Sequence, residues 1–563
     1  MTKISSISAP GGSTLAKMAW RPDRWTIGAL VTALLITGPI VAVFVIALAP
    51  SNGIWAHLSS TVLPHYIWTT ILLMSGVGIG TLLIGTGTAW LVTMCRFPWR
   101  RFFEWALVLP LAVPAYVIAY VYTDILEFSG PIQDFLRGVF GWGNRQDYWF
   151  PEIRSLGGAV SMMTLVLYPY VYLLARAAFL EQSVCVLEVS RTLGKTPWQS
   201  FRQVAFPLAR PAVIAGVSLV MMETLNDFGT VDYFAVATLT AGIYDVWLNM
   251  SSVSGAAQLA TVMMTFVIVL IGMERLARRG RRFHHTGTKY SVLPDMQLSR
   301  PRAWLATLSC ALPIVFGFLT PALVLADYSL DFYEETLAGD FLIYMRNSLA
   351  LATISAGIAV MIGLFLAYAI RLRDTVVLRA AARVASIGYA VPGAVLAIGV
   401  MLPLTRLDHA INDTILSLTG FSTGLILSGT VFAMVLGYLV RFLALSFGTL
   451  EASLGKITAN MDGASRTLGR GPASTLLRVH IPIMRSSVLT AAILVFVDVM
   501  KELPMTMLLR PFNFETLATY VHQYASDELL EESALGALSI VAAGIIPVII
   551  LSAAITRSRP GRR

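Results

Sequence analysis

The sequence predicts an all-α polytopic membrane protein, on the evidence of its composition, its long apolar segments and an internal duplication. Of its 563 residues 56% are hydrophobic and only 13% are charged, and the mean hydropathy is +0.71. Soluble domains carry about 25% charged residues, so the composition excludes an ordinary soluble enzyme and a disordered chain. The cysteines Cys95, Cys185 and Cys310 share no pair spacing, which excludes a disulfide framework and a cysteine-based zinc site.

Twelve apolar segments are long enough to be membrane-spanning helices. About 20 mostly apolar residues cross the hydrocarbon layer, and backbone groups in lipid must bond within the segment, so each segment is predicted to be helical. The predicted spans are about 26–49, 67–95, 102–124, 156–181, 211–227, 256–277, 303–328, 347–371, 380–404, 421–446, 487–503 and 534–556. The first apolar run is too long for a signal peptide and is interpreted as a permanent helix.

The net charge of +9 is explained by membrane topology. With the N-terminus inside, the inside segments hold 34 of the 41 Lys and Arg residues, and the opposite orientation inverts this ratio. Because Lys and Arg collect on the cytoplasmic side, both termini are predicted to be cytoplasmic. The basic run at 278–282 is interpreted as an anchor to anionic lipid headgroups rather than as a nucleic-acid site.

The chain is a duplication of two parallel repeats. The pentapeptide Ser190–Gly194 recurs unchanged as Ser465–Gly469, at an offset of 275 residues. This offset, or one of 278 farther upstream, also pairs Pro207 with Pro482, Glu223 with Asp498, Asp227 with Glu502, Gly85 with Gly363 and Pro114 with Pro392. Six spans return the chain to its starting side, so the halves share one orientation about an axis along the membrane normal. A pathway is expected on that axis.

The predicted organisation follows from the spans and the duplication. It comprises a cytoplasmic tail at 1–25, a first six-span repeat at 26–277 with a cytoplasmic loop at about 182–210, a cytoplasmic linker at 278–302, a second six-span repeat at 303–556 with a loop at about 447–486, and a basic cytoplasmic tail at 557–563.

Each repeated loop predicts two short helices joined by a bend. In the first copy a helix over 184–193 is expected to end at Gly194, a residue suited to the left-handed conformation. Thr196 can cap the next helix, and Pro197 fits its first position. That second helix is expected to end near Pro207.

The first loop resembles the EAA loop of ABC importer permeases, with the pattern E-A-A-x3-G-x9-I-x-L-P. In the second copy Gly463 stands at the position of the family's glutamate, and Asp462 precedes it. The resemblance implies that each loop inserts a coupling helix into a cytoplasmic ATPase. The residues implied to couple are Glu188, Ser190, Gly194, Pro207, Asp462, Ser465, Gly469 and Pro482.

A nucleotide site is not predicted on this chain. The run Leu193–Thr196 resembles the end of a Walker A loop, but the glycine that this motif requires is replaced by Val189. No cofactor is therefore expected here, and the chain is expected to be a transport subunit rather than an enzyme. The resemblance implies two copies of a separate ATPase that hold ATP and magnesium.

Acidic pairs stand at matched positions near the ends of spans five and eleven, where ionisable residues are candidates for function. They are Glu223 and Asp227 in the first repeat and Asp498 and Glu502 in the second. One interpretation is that acids four apart share a helical face and line the outer translocation path. The other is that they cap the outer helix ends, with Lys501 neutralising part of the charge. Two arginines within spans, Arg176 and Arg441, are predicted to reach the inner surface.

The segments 223–230 and 501–519 resemble the fused permeases of bacterial ferric-iron importers. This resemblance implies an inner-membrane protein supplied by a periplasmic binding protein. Ferric iron prefers oxygen ligands, which these acids offer, although the sequence defines no metal site. The alternatives are an ABC permease for thiamine, phosphonate or another small solute, and an ion-coupled secondary transporter that uses the acids as proton or sodium sites.

Overall fold

The computed structural model describes residues 23–51, 53–181, 194, 196–278 and 296–557. These residues form helices almost throughout, as predicted. The described strands are β1 (Cys95–Arg96) and β2 (Met296–Gln297), two short segments that pair in parallel and join the first repeat to the start of the second.

The first repeat contains α1 (Arg24–Ala47), α2 (Ile54–Ser60), α3 (Leu63–Met94), α4 (Arg100–Ala106), a 3-10 turn (Leu109–Ala112), α5 (Ala115–Leu126), α6 (Pro131–Phe140), α7 (Leu156–Glu181), α8 (Pro197–Ser200), a π-helical turn (Phe201–Ala205), α9 (Phe206–Asn226), α10 (Gly229–Tyr233), α11 (Leu239–Tyr244), a second π-helical turn (Asp245–Asn249) and α12 (Val253–Arg278). The residues predicted as the first loop's leading helix, 184–193, lie outside the described part of the chain.

The second repeat contains α13 (Arg300–Ile314), a π-helical turn (Val315–Leu319), α14 (Thr320–Ala338), α15 (Phe341–Leu372), α16 (Val376–Ala385), a 3-10 turn (Ile387–Ala390), α17 (Gly393–Thr419), α18 (Val431–Leu454), α19 (Ala459–Thr467), α20 (Pro472–Thr475), a π-helical turn (Leu476–His480), α21 (Ile481–Ile483), α22 (Arg485–Met500), α23 (Pro504–Leu509), α24 (Leu517–Ser526) and α25 (Leu530–Arg557). From α15 onward, the described elements follow an order similar to that of the first half from α3 onward.

The described residues contain ten helices long and apolar enough to cross a membrane, and two helix pairs that cross together but are bent. The bent pairs join Arg100–Ala112 to Ala115–Phe140 at 89° and Pro472–Ile483 to Arg485–Met500 at 82°. If each bent pair is one span, the count is the predicted twelve.

The predicted tenth span, 421–446, begins too early, because α18 starts at Val431. The preceding segment is folded as a loop around the buried carboxylate of Asp408. That carboxylate accepts hydrogen bonds from the backbone nitrogens of Ile426, Leu427 and Ser428 at 3.2, 2.9 and 2.7 Å. An apolar run can therefore be held as a loop when a buried acceptor satisfies its amides.

The first span of each half contacts the other half; in the second half, the Phe316 carbonyl accepts a hydrogen bond from the Tyr122 hydroxyl at 2.8 Å. Trp25 at the start of α1 stacks on Phe365 of α15, with ring centroids 5.5 Å apart. Farther along, α1 passes so close to α17 that a Cβ at Gly399 would overlap the carbonyl of Pro39. This exchange ties the two halves into one unit and encloses the region between them.

Candidate translocation site

A cavity of about 100 Å³ lies between the two halves. It receives all four of the predicted acids, together with two basic residues and several polar ones: Glu223, Asp227, Asp498, Glu502, Arg441, Lys501, Asn226, Tyr170 and Tyr389. Arg441 lies ten residues into α18, and at 1.5 Å per residue this places it about 15 Å along the helix, near the middle of the span. The cavity therefore lies level with the middle of α18, while the acids that line it stand at or near the ends of α9 and α22.

Two matched prolines break the chain beside the cavity, which is lined by Pro114 itself and by Tyr389 of the turn before Pro392. Val113 and Val391 have extended backbones, with ψ of 123° and 128°, and each precedes a proline, at Pro114 and Pro392. The residue before proline is driven out of the helical conformation. Each break ends a 3-10 turn and starts a new helix, so helix ends from both halves meet at the cavity.

Two further helix breaks beside the cavity occur at acidic residues, Asp227 and Glu502. Asp227 follows the last residue of α9 with an extended backbone, ψ 131°. Its carboxylate accepts from the backbone nitrogen of Thr230 at 2.9 Å and that of Val231 at 3.3 Å, which caps α10. The Asp227 amide still donates to the Glu223 carbonyl at 3.0 Å, so the two acids are one helical turn apart on the same face, as predicted, and both line the cavity.

Glu502 repeats this role in the second half. Its two carboxylate oxygens accept from the backbone nitrogens of Met505 and Thr506, each at 3.0 Å, at the start of α23. Capping and lining, which the sequence offered as alternatives, are therefore combined in these two residues. Asp227 and Glu502 bind the start of a short helix with the same carboxylate that contributes charge to the cavity.

Glu223 and Asp498 are the less constrained acids, with side chains 22% and 20% exposed. Glu223 accepts a hydrogen bond at 3.0 Å from the hydroxyl of Tyr389, which belongs to the other half. Asp498 forms an ion pair at 2.9 Å with Lys501. The prediction that Lys501 neutralises part of the acidic charge is confirmed.

Arg441 was misplaced by the sequence prediction. Instead of reaching the inner surface it is 5% exposed, and its guanidinium lies 2.9 Å from Glu502 and 4.0 Å from Glu223. The cause is the early predicted start of span ten, which put Arg441 close to the inner end. Arg176 is also buried, with Glu104 at 3.2 Å, so the prediction for this residue was wrong as well.

A glycine permits the close approach of these charges. A Cβ at Gly393 would lie 2.9 Å from a Glu502 oxygen and 3.1 Å from an Arg441 nitrogen. The Gly393 amide also donates to the side-chain oxygen of Asn226 at 2.6 Å, a contact between the halves. Among the described residues, no three His, Cys, Asp or Glu side chains are arranged to hold a metal ion together.

The second copy of the repeated loop is held by buried polar contacts. Asp462 accepts from Arg371 Nε at 2.9 Å and contacts His480 Nε2 at 2.6 Å. Ser465 is buried and its hydroxyl lies 2.7 Å from that of Thr475. These two residues of the predicted coupling set therefore fix α19 against neighbouring elements from within the loop.

The glycine bends have the predicted conformation. Gly194 and Gly469 have φ of 75° and 72°, in the left-handed region, with open space where a Cβ would be. Thr196 and Gln199 exchange the predicted capping bonds, and Pro197 begins α8. Glu188 and Ser190 lie outside the described residues.

Pro207 does not end its helix as expected. The chain continues from Trp198 to Asn226 as one span, with a π-helical turn just before Pro207. Pro482 also follows a π-helical turn, and the second copy then bends after Ile483. Proline has no amide hydrogen for the usual helical hydrogen bond. The wider π-helical turn changes the hydrogen-bond pattern at this point, so the proline is tolerated within the helix.

Comparison with known proteins identifies the family. Residues 81–282 match the model of the binding-protein-dependent transport system inner membrane component. The Fe(3+)-transport system permease protein FbpB 2 of Haemophilus influenzae is 27% identical over 545 residues, which cover 95% of this chain and 99% of that protein.

Two shorter relatives are from Escherichia coli K12. The sulfate transport system permease protein CysW is 30% identical over 220 residues, or 38% of this chain and 72% of CysW. The molybdenum transport system permease protein ModB is 27% identical over 225 residues, or 38% of this chain and 95% of ModB. One segment of this duplicated chain therefore spans nearly a whole single permease. The chain belongs to the family of binding-protein-dependent transport system inner membrane components, as a multi-pass permease with two halves fused into one polypeptide.

Proposed function

We propose that the protein is the permease subunit of an ATP-driven importer that moves ferric iron from the periplasm to the cytoplasm. The observation that carries the proposal is the cavity between the halves, where four carboxylates meet only two basic side chains. The excess of acid favours a cation. The full-length relative FbpB 2, which is named for Fe(3+) transport, supports the same substrate.

The cavity suits passage better than storage. Hard cations such as ferric iron prefer carboxylate oxygens, and Glu223 and Asp498 offer such oxygens on facing halves. Conduction requires that a site bind weakly enough to release its cargo. Two separated acids, each with a competing cation or hydroxyl nearby, meet that requirement.

The coupling loops are proposed to bind a separate ATPase, with one ATPase copy at each loop. Near the second bend, the apolar side chains of Leu468 and Met461 are 76% and 43% exposed, as expected of a surface that a partner covers. The two coupling loops are shaped by Gly194, Gly469, Pro207 and Pro482. The second loop is stiffened by Asp462 and Ser465. Glu188 and Ser190 retain their proposed coupling role. ATP and magnesium would be held by the ATPase.

The proposed orientation places both termini and the linker in the cytoplasm, because this choice puts 34 of 41 basic residues inside. A periplasmic binding protein would then deliver iron to the opposite face. The domain boundaries derived from the duplication, 26–277 and 303–556, define the two permease halves. No nucleic-acid partner is proposed, since the basic linker suits lipid headgroups.

The test is reconstitution of the chain with its ATPase and binding protein in liposomes. We expect ATP-dependent entry of iron that requires the binding protein. Thiamine, phosphonate, sulfate and molybdate are the competing cargoes and are measured in parallel. An iron signal unchanged by omission of the binding protein would refute the substrate assignment. Uptake by the chain alone under a proton gradient would instead support the ion-coupled alternative.

A further inference from the structure

Arg441 occupies a central position among the acids of the cavity. Its guanidinium contacts Glu502 of its own half at 2.9 Å and lies 4.0 Å from Glu223 of the other half. The side chain is almost fully buried, and among the described residues its Nε has no hydrogen-bond partner. Arg441 is therefore firmly held on one side, loosely held on the other, and incompletely satisfied.

The contact with Glu223 differs from the other charge contact in the cavity. Lys501 pairs with Asp498, three residues away in its own half. Arg441, by contrast, reaches across the interface between the halves, where Tyr389 also donates to Glu223. The Arg441–Glu223 contact thus joins the two surfaces that must separate for a cargo to pass.

The duplication does not account for this arginine. At the offset of 275 residues, Arg441 corresponds to Val166, and Lys501 corresponds to Asn226. The acids are matched in the two halves, whereas both cations come from the second half. A buried charge is costly unless it is well paired, so a one-sided arginine beside matched acids calls for a specific role.

We propose that Arg441 is a tethered cation that occupies, on Glu223, the place of the transported cation and holds the halves together until cargo arrives. An incoming cation displaces the guanidinium from Glu223, while Glu502 retains it. At low local dielectric the carboxylate needs a positive partner at each stage, and the exchange supplies one. This proposal rests on the proposed cation transport and adds a residue that determines both closure and selectivity.

Iron retention by the purified chain tests the exchange directly. The Arg441→Met variant and the unchanged protein are incubated with ferric citrate, passed through gel filtration and analysed for iron. Removal of a like charge from a site favours cation binding, so the variant is expected to retain at least about 10-fold more iron per chain. Addition of Glu223→Gln to this variant is expected to abolish the gain.

Arg176→Met is the matched control. Arg176 is a buried arginine paired with Glu104, but both residues belong to the first half and neither lines the cavity. This variant breaks a comparable ion pair without opening the proposed site and is expected to retain no additional iron. Equal retention by Arg441→Met and the unchanged protein, or an equal gain in Arg176→Met, would overturn the proposal.

A second measurement tests the proposal even if the Arg441→Met variant does not fold. Glu223→Gln leaves the Arg441–Glu502 pair intact and weakens only the contact between the halves. We expect ATP hydrolysis by the complex, measured without binding protein or iron, to rise about 5-fold, at the lower end of typical coupling between sites. An unchanged rate contradicts the closing role. Iron uptake by the unaltered complex is measured separately, so that a failure of the proposed iron transport can be distinguished from a failure of the proposed role of Arg441.

Discussion

At the scale of single residues, the buried carboxylates of this protein bond mainly to backbone amides. Asp227 and Glu502 cap short helices at the cavity, and Asp408 holds the loop before α18. A carboxylate that accepts several amide bonds satisfies donors that lipid cannot. The sequence shows only that such residues are charged and lie in apolar surroundings. Which amides they bond to is known only from the folded structure.

Asp408 gives the residue-scale prediction. Its replacement by alanine leaves the amides of Ile426, Leu427 and Ser428 without their acceptor, so we expect the free energy of unfolding to fall by about 3 kcal/mol. Thermal denaturation in detergent measures the loss. Asp413→Ala, an exposed position on the same helix, is the control and should change stability little. Equal stability of the two variants would contradict the assigned role.

At the scale of elements, function is concentrated where helices are interrupted. Pro114 and Tyr389, which stand at the two proline breaks, line the cavity, and the π-helical turns before Pro207 and Pro482 lie between the repeated loops and their spans. In the first half the loop helix and the span form one continuous element from Trp198 to Asn226. The helix that begins in the loop therefore carries Glu223 near its far end.

The two left-handed glycines give the element-scale prediction. A valine at Gly194 or Gly469 meets no steric obstacle, but the left-handed backbone costs about 1–2 kcal/mol at each position. In the reconstituted complex, the double variant is expected to hydrolyse ATP while iron uptake per ATP falls about tenfold.

The control for this experiment is Gly448→Val. Gly448 lies within α18, has no atoms near its potential Cβ and has an ordinary helical backbone. Uptake should persist in this variant. Full iron uptake in the double glycine variant would count against the coupling role of the bends.

At the scale of the whole molecule, the halves are similar in fold and different in charge. The spans, breaks and acids are repeated, but Arg441 and Lys501 have no basic counterparts in the first half. The crossing of α1 onto α17 binds the halves together around this asymmetric cavity. The architecture thus supplies a symmetric frame in which one half carries both positive charges of the cavity.

The crossing gives the whole-molecule prediction. Gly399→Val places a side chain on the Pro39 carbonyl and should lower stability by about 1–3 kcal/mol through overpacking. Gly357→Val, on an open helix surface, is the control. The melting temperatures of both variants in detergent are compared with that of the unchanged protein. Equal melting temperatures would show that α1 can separate from α17 without cost.

The sequence by itself determined the class of the fold, the number of spans, the duplication and the family. Each of these depends on signals carried by many residues: apolar length, the distribution of basic residues and a repeated register. It also determined the left-handed bends, because Gly194 and Gly469 have a local conformational preference. The two acidic pairs were identified as candidates for the same reason, since charge in an apolar span is visible without a structure.

Only the tertiary structure decided where the acids meet and what neutralises them. Apolar content alone does not distinguish a span from a loop held by a distant carboxylate, so the start of α18 and the depth of Arg441 were misjudged. The contacts of Arg441 with Glu502 and Glu223 join residues 61 and 218 positions apart. Such pairings depend on how the halves cross, which no local pattern of residues specifies.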